Sequence, residues 1–409
     1  MKSSRKRGSS LKGERLPVIV DGARLPVARG GMGGALSLVP PEKFGAHLLK
    51  NILARNSFDP KDIDEVILGN VMGAYLCFSR LCLLEAGLPV EVPGFTVDRN
   101  CASGLQAIIL GAQAIQCGDA STVIAGGVES MTRQPWYVEK PPIGFPREPL
   151  QPRVLAGGRM TAPARFGGHS MGETAENVAE RYGITRAEQE ELAWESHTRA
   201  LKAWEEGRFE EEVIPIEVPE YKGGSRLFCR DETIRTPEEL KKMPSLPTIF
   251  KKEGGTVTAA TSSPVSDGAA IVVLMSASKA AQLGIKPIVR FVAGASAGFD
   301  PAYMGMAPVP AIRKALKIAG LEIDEIGLIE FNEAFAAQAL ACYKELGLDR
   351  KRVNVNGGGL ALGHPIAATG ARLTVTLMYE MRRRNVRYGL AAMCVGGGQG
   401  TAVIYELMP

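Results

Sequence analysis

A duplicated α/β fold, with mixed sheets covered by helices on both faces, is what the sequence predicts, and three observations carry it. The stretch "DIDEVILGN" at 62–70 is echoed by "EIDEIGLIEFN" at 322–332. Each follows an amphipathic run, "PEKFGAHLLKNILARNSF" or "PAIRKALKIAGL", so both read as helix, turn and buried strand. A longer pair follows. "GFTVDRNCASGLQAIILGAQAIQCGDASTVIAGGVES" and "RVNVNGGGLALGHPIAATGARLTVTLMYEMRRRNVRYGLAAMCVGGGQG" each give strand, glycine-containing turn, long helix, then an apolar strand ending in paired glycines, Gly126 and Gly127 or Gly396 and Gly397. Finally, 409 residues with 45% apolar and 22% charged content exceed what one core usually serves and suit a globular protein of two or three core-forming units.

Taken in order, the first fifteen residues hold six Lys or Arg against one Glu and account for much of the net charge of +4. The body is nearly neutral, which points away from nucleic acid as a partner. This start lacks an apolar segment and runs straight into the strand-like "LPVIVDGA". Residues 1–15 therefore read as a disordered basic tail rather than a secretory signal, with a short organelle-targeting segment as the alternative. No apolar run approaches the ~20 residues a bilayer crossing needs, so no membrane association is expected. Seven cysteines form an odd set without a C-x-x-C pair. That argues against a disulfide framework or structural zinc and for a reducing compartment, most simply the cytoplasm.

Residues 16–130 together with 259–285 form the first half by this pattern, and 286–409 the second. Between them, 131–258 read as an inserted α-rich loop domain. Its opening, "TRQPWYVEKPPIGFPREPLQPRV", is too proline-rich for a helix or central strand and should be an extended surface loop. "MGETAENVAERYGITRAEQEELAWESHTRALKAWEEGRF" then reads as two helices broken near Gly183, with capping-box spacing of Thr185 and Glu188 at the start of the second. An insert in that place suits a lid, or a platform for a long ligand.

Chemistry gathers at the glycine corners. In "TVDRNCASGLQAI", Cys101 stands where a strand-like run meets a helix start. Unpaired N–H groups and the positive end of the helix dipole favour a thiolate there, making Cys101 a candidate nucleophile. Of four histidines, His47 and His197 lie in amphipathic helical runs and read as partly exposed, satisfied helix residues. His364, in "GGGLALGHPIAATG", occupies the corner equivalent to that of Cys101 and is either a base at a shared ligand site or a helix cap. Cys394, in "AAMCVGGGQG", is a buried strand cysteine or a second reactive thiol. The glycines after it, beginning with Gly396, would let backbone N–H groups approach a reacting carbonyl. Asn332, in "FNEAFAAQ", either terminates a strand or holds a water or substrate oxygen.

The set N-C-A-S-G at 100–104, N-E-A-F at 332–335, G-H-P at 363–365 and C-V-G-G-G at 394–398 closely resembles the thiolases, in order and across residues 16–409. The resemblance implies a five-layered αβαβα fold, an inserted loop domain carrying coenzyme A, and homodimers or homotetramers. It makes Cys101 the acylated nucleophile, His364 its base, and Cys394 the group that removes or returns the α-proton of a second acyl unit. The backbone N–H groups of Cys101 and Gly396 would hold the tetrahedral oxyanion, and His364 with a water on Asn332 would hold the enolate. The implied reaction is reversible Claisen condensation of acetyl-CoA, or thiolysis of 3-ketoacyl-CoA as in fatty-acid β-oxidation. Acyl-CoA is the substrate, with no metal and no further cofactor.

The resemblance also implies CoA contacts. Ser263, in "GTVTAATSSPVSDGAA", would meet the pantetheine arm, Arg235, in "RDETIR", the nucleotide end, and Met171 the acyl region. Without it, Ser263 is a turn residue and Arg235 a solvated cation. Three departures stand out: Ser170–Met171 with His169 one place early, "AYLCFSRLC" at 74–82, and Gln399. The first leaves acyl-chain length open. Tyr75, Leu76 and Phe78 in the second would reshape a dimer contact or acyl tunnel. A β-ketoacyl synthase-like enzyme would use two histidines, or His with Asn, instead of Cys394. A non-catalytic lipid carrier of the same fold would tend to lose the cysteines and histidine.

Overall fold

A computed structural model describes residues 13–56, 58–73, 75–138, 153–154 and 162–409. The expected tail lies outside them up to residue 12, as does most of the expected proline-rich loop. The first half runs β1 (Pro17–Arg24), β2 (Ala28–Arg29), α1 (Pro41–Arg55), β3 (Glu65–Gly69), α2 (Phe78–Glu85), β4 (Gly94–Val97), α3 (Ser103–Cys117) and β5 (Thr122–Ser130). Between β5 and its partner β10 (Ser266–Ser276) come β6 (Trp136–Tyr137), β7 (Arg153–Val154), α4 (Met171–Tyr182), α5 (Arg186–Glu205), β8 (Ile216–Pro219), β9 (Ser225–Phe228) and α6 (Pro237–Leu240). The rest is α7 (Ala277–Gln282), β11 (Val289–Gly298), α8 (Pro308–Ala319), β12 (Leu328–Phe331), α9 (Ala336–Leu346), α10 (Gly359–Leu362), α11 (Thr369–Arg384), β13 (Tyr388–Val395) and β14 (Gln399–Leu407).

The duplication is visible in the strand pairing. In the first half β4, β3 and β5 run parallel, followed by antiparallel β10 and β1. In the second, Val353 bridges Ile329 in parallel, β12 pairs β13 in parallel, and β14 and β11 follow antiparallel. A short β1–β11 pairing joins the two sheets. Equivalent strands β5 and β13 therefore lead to equivalent partners β10 and β14. Where β13 reaches β14 through a tight glycine turn, β5 reaches β10 only after the long excursion of residues 131–265.

Alternation along the strands builds the layers. In β10, Ala269, Ile271, Val273 and Met275 join a core under α1 and α2, while Ala270, Val272 and Leu274 join a central one. In β13, Ala391, Met393 and Val395 face that same central core, and Leu390, Ala392 and Cys394 face a third core under α8 and α9. Helices α3 and α11 fill the central layer between the sheets. The result is five layers, helix, sheet, helix, sheet, helix, as expected. α4 and α5 form as read from the sequence, divided at Gly183 in the left-handed conformation, and the Thr185–Glu188 capping box is present.

The central layer is tight because glycines face backbone across it. Gly104 N–H donates to Ala367 O at 2.9 Å, and a Cβ on Gly104 or Gly127 would fall 2.6 or 2.0 Å from that oxygen. This contact brings the corner carrying Cys101 against the corner carrying His364.

Candidate active site

Cys101 is fixed by a turn that its neighbours dictate. Asp98 Oδ1 accepts Asn100 N–H at 2.8 Å, Asn100 takes a left-handed φ of 45°, and Ser103 Oγ accepts Arg99 N–H and donates to Asn100 O at 2.8 and 2.7 Å. The chain is thereby turned so that Cys101 sits just ahead of α3. Its sulfur lies within hydrogen-bonding reach of the N–H of Gly396 and of its own backbone N–H, both of which favour the thiolate. Burial acts more strongly in the other direction and pushes the thiol up to about 11, with Glu129 and Asp98 adding to the rise. This corrects the sequence expectation of a readily formed thiolate. Part of the residue faces solvent, but the packing round the sulfur outweighs the helix terminus, and ionisation needs a base.

Cys394 is the last residue but one of β13, paired with Gly400, and the chain then turns through Gly396–Gly398. Gly397 and Gly398 have φ of 85° and 78°, and a Cβ on Gly398 would sit 2.4 Å from Phe299 O. Only glycine fits there. Gly396 differs: a Cβ on it would make only ordinary contacts, 3.6 Å from Met171 Cε and 3.7 Å from the Asn100 amide. Cys394 is buried, and burial raises its thiol well above the ordinary range, helped by Cys101 and Cys342. The two sulfurs thus share one electrostatic neighbourhood.

His364 is held as a neutral base in one tautomer. Its Nδ1 lies 2.7 Å from Thr369 Oγ1, whose own proton is given to Pro365 O at 2.9 Å. Nδ1 must therefore carry the hydrogen, which leaves the Nε2 lone pair free. Burial, with Arg372 second, drives the imidazole down to about 3. Asn332, at the end of β12, places Nδ2 3.5 Å from each ring nitrogen. Its N–H donates to Ala392 O, two residues before Cys394, at 2.9 Å, and its Oδ1 is buried without a partner. A buried acceptor left open in this way would accept from a water or a substrate donor.

Cys101, Gly396 and Cys394 lie together, Asn332 lies against His364, and the Gly104–Ala367 and Asn332–Ala392 backbone hydrogen bonds join the two groups. Met171, at the start of α4, puts its Cε over Gly396 and lines a cavity of about 10 Å³ with Phe166, His169, Thr174, Pro301 and Gly397. Ser263 adjoins this group through its N–H, which donates to Ala334 O at 2.9 Å. Arg235 stands apart on an exposed stretch where its N–H meets His197 Nδ1 at 3.1 Å. His197 is 2% exposed, against the sequence reading of a partly exposed helix residue.

Sequence reasoning missed four supporting groups. Thr369 fixes the histidine tautomer. Glu333, fully enclosed, accepts from Ser196 Oγ, Asn354 Nδ2 and Leu360 N–H at 2.7, 2.7 and 3.3 Å, tying α5 to the Asn332 turn. Glu129 accepts Met72 N–H and Ala367 N–H at 3.0 and 3.2 Å, and burial lifts it to about 8. An acid inside the apolar run "TVIAGGVES" was the available signal for Glu129. Nothing local marks Ser196. Among the described residues, no group of His, Cys, Asp or Glu is arranged to hold a metal ion, and no helix is long and apolar enough to cross a membrane.

Comparison with known proteins gives a consistent result. A model of the thiolase N-terminal domain matches residues 17–278 and one of the thiolase C-terminal domain residues 285–407. The chain is 45% identical to an acetyl-CoA acetyltransferase of Allochromatium vinosum, covering 96% of this chain and 99% of that one. It is 42% identical to beta-ketothiolase BktB of Cupriavidus necator, covering 95% and 98%. The crystal structure of the Bacillus anthracis acetyl-CoA acetyltransferase superposes with a TM-score of 0.89 at 41% identity, over 96% of this chain and 99% of that one.

Proposed function

This chain belongs to the thiolase family and is an acyltransferase, and on that premise we propose how its residues divide the work. His364 Nε2 takes the Cys101 proton, the sulfur attacks the thioester carbonyl of acetyl-CoA, and coenzyme A leaves with a proton returned by the imidazole. The backbone N–H groups of Cys101 and Gly396 hold the oxyanion. Cys394, giving its own proton to the again neutral His364 Nε2, takes a proton from the methyl group of a second acetyl-CoA, and the carbanion attacks acetyl-Cys101 to give acetoacetyl-CoA as the Cys101 thiolate leaves and recovers a proton from His364. His364 and a water on Asn332 hold the enolate oxygen. Thiolysis is the same sequence reversed. The observation that carries this reading is the pairing of two thiols at one glycine turn, with the Gly396 N–H directed at the Cys101 sulfur. A β-ketoacyl synthase-like enzyme or a lipid carrier would have no use for Cys394.

These steps use side chains and backbone amides, with acyl-CoA as substrate and no separate cofactor. Ser263 lies along the pantetheine path and Arg235 meets the nucleotide end, with the inserted domain of residues 131–258 as their platform. The similarity to proteins named acetyl-CoA acetyltransferase supports a short acyl group. Seven free cysteines suit a reducing cytoplasm. A homodimer, or a tetramer of two, would cover β4, an edge strand that carries exposed Phe95 and has exposed Leu76, Leu81 and Val90 before it in the chain. A role in short-chain steps of fatty-acid metabolism follows from the acyl size.

The test is a series of 3-ketoacyl-CoA substrates of four to ten carbons, with free coenzyme A as the thiol and the products separated by chromatography. Acetyl-CoA should form from the four-carbon member, with turnover falling as the chain lengthens. Absence of any acetyl-CoA would remove the reading.

A further inference from the structure

His197 is the one buried histidine that the proposed reaction does not use, and its position gives it a task. It lies on α5 next to Ser196, and beside it passes an anchored strap, residues 231–235. Asp231 accepts from Arg24 Nη1 and Nη2 at 2.7 and 3.0 Å, from Val27 N–H at 2.7 Å and from Trp204 Nε1 at 3.0 Å. Glu232 accepts Arg29 N–H and Ala35 N–H, each at 3.0 Å. Thr233 Oγ1 donates to Ala361 O at 2.6 Å. The last anchor is at Arg235 itself, whose N–H donates to His197 Nδ1 at 3.1 Å. Beyond it Arg235 projects into solvent.

A backbone N–H is an unambiguous donor, so Nδ1 is an acceptor and the ring is neutral. Charged groups facing the ring are Arg235 and Glu239, and burial with Arg235 keeps the imidazole down at about 4. A neutral acceptor matters here. A carboxylate in the same place would hold the N–H equally well but would pair with the guanidinium and cancel its pull on an anion. An apolar side chain would take away the acceptor of this half-buried N–H, and the exposed end of the strap would lose its fixed direction.

We propose that His197 is a positioning residue for substrate binding, which fixes the Arg235 backbone so that its guanidinium meets the anionic nucleotide end of acyl-CoA. This rests on the reading of Arg235 given above. The inference is specific to binding, because His197 faces the strap while the adjacent Ser196 faces Glu333 and the catalytic corner.

The experiment compares acylation of the full chain by acetyl-CoA and by S-acetyl-pantetheine, which lacks the nucleotide, in wild type, His197→Leu and His197→Asn. Asparagine can place its amide oxygen where Nδ1 stands. Loss of this half-buried hydrogen bond predicts a rise of about three- to tenfold in half-saturating acetyl-CoA for His197→Leu, with the maximal rate retained. S-acetyl-pantetheine should show no rise, and His197→Asn should recover most of the loss. An equal rise with both substrates, a fall in maximal rate alone, or no recovery in a folded His197→Asn would overturn the proposal. Wild type that takes no acetyl group would instead fail the functional reading on which it rests.

Discussion

Gly104→Ala is the substitution that most directly strains the contact between the two halves of the site. A Cβ on Gly104 would lie 2.6 Å from Ala367 O, where ordinary contact begins at 3.4 Å, so the two corners must part by about 0.8 Å. Gly104 is three residues from Cys101 and Ala367 three from His364. The opening therefore falls largely on the distance between thiol and base. A misplacement of about 1 Å costs on the order of 100-fold in rate, while an extra methyl in a packed core costs about 1–3 kcal/mol in stability. Gly111→Ala, on the same helix, meets only side-chain carbons at 3.1 and 3.4 Å and serves as the control. Acetyl loading from acetyl-CoA, followed by rapid quench and intact mass, should slow 10- to 100-fold in Gly104→Ala and less than threefold in Gly111→Ala. A folded Gly104→Ala that loads at the wild-type rate would refute the coupling of the corners.

Other outcomes follow from the same geometry. Thr369→Val removes the acceptor for His364 Nδ1–H, frees the other tautomer, and should slow loading about 10- to 100-fold with little change in melting temperature, measured by the same quench. Because His364 stays neutral down to about pH 3 and Cys101 stays protonated up to about pH 11, lowering pH from 8 to 5 protonates neither the base nor a preformed thiolate. The loading rate should be level across that interval, and a step near pH 6.5 would show an ordinary imidazole instead. Arg24→Met leaves Asp231 and Glu212 buried without their cation and should cost about 3–5 kcal/mol in denaturant unfolding.

The duplication was legible because buried strands and glycine corners repeat in the same order in both halves. Cys101, His364, Cys394 and Asn332 could be singled out as candidates for the same reason, since each stands at or beside a turn among residues whose local chemistry is conspicuous. Groups that act across the fold left no such trace. Ser196 reaches Glu333 over 137 positions, and Arg24 meets Asp231 over 207. The sequence also misjudged the state of the Cys101 thiol. Helix position is a local property, whereas desolvation is set by what the fold packs around the sulfur, the Gly396 turn included.

The division of labour between the two sulfurs is tested most directly by locating the acetyl group. Wild type, Cys101→Ala and Cys394→Ala are mixed with acetyl-CoA in deuterated water, then mapped by peptide mass while methyl-proton exchange of acetyl-CoA is followed by NMR. One acetyl group on Cys101 in wild type and Cys394→Ala, none in Cys101→Ala, and exchange lost in Cys394→Ala is the expected pattern. An acetyl group carried by Cys394, or undiminished exchange without it, would contradict the assignment.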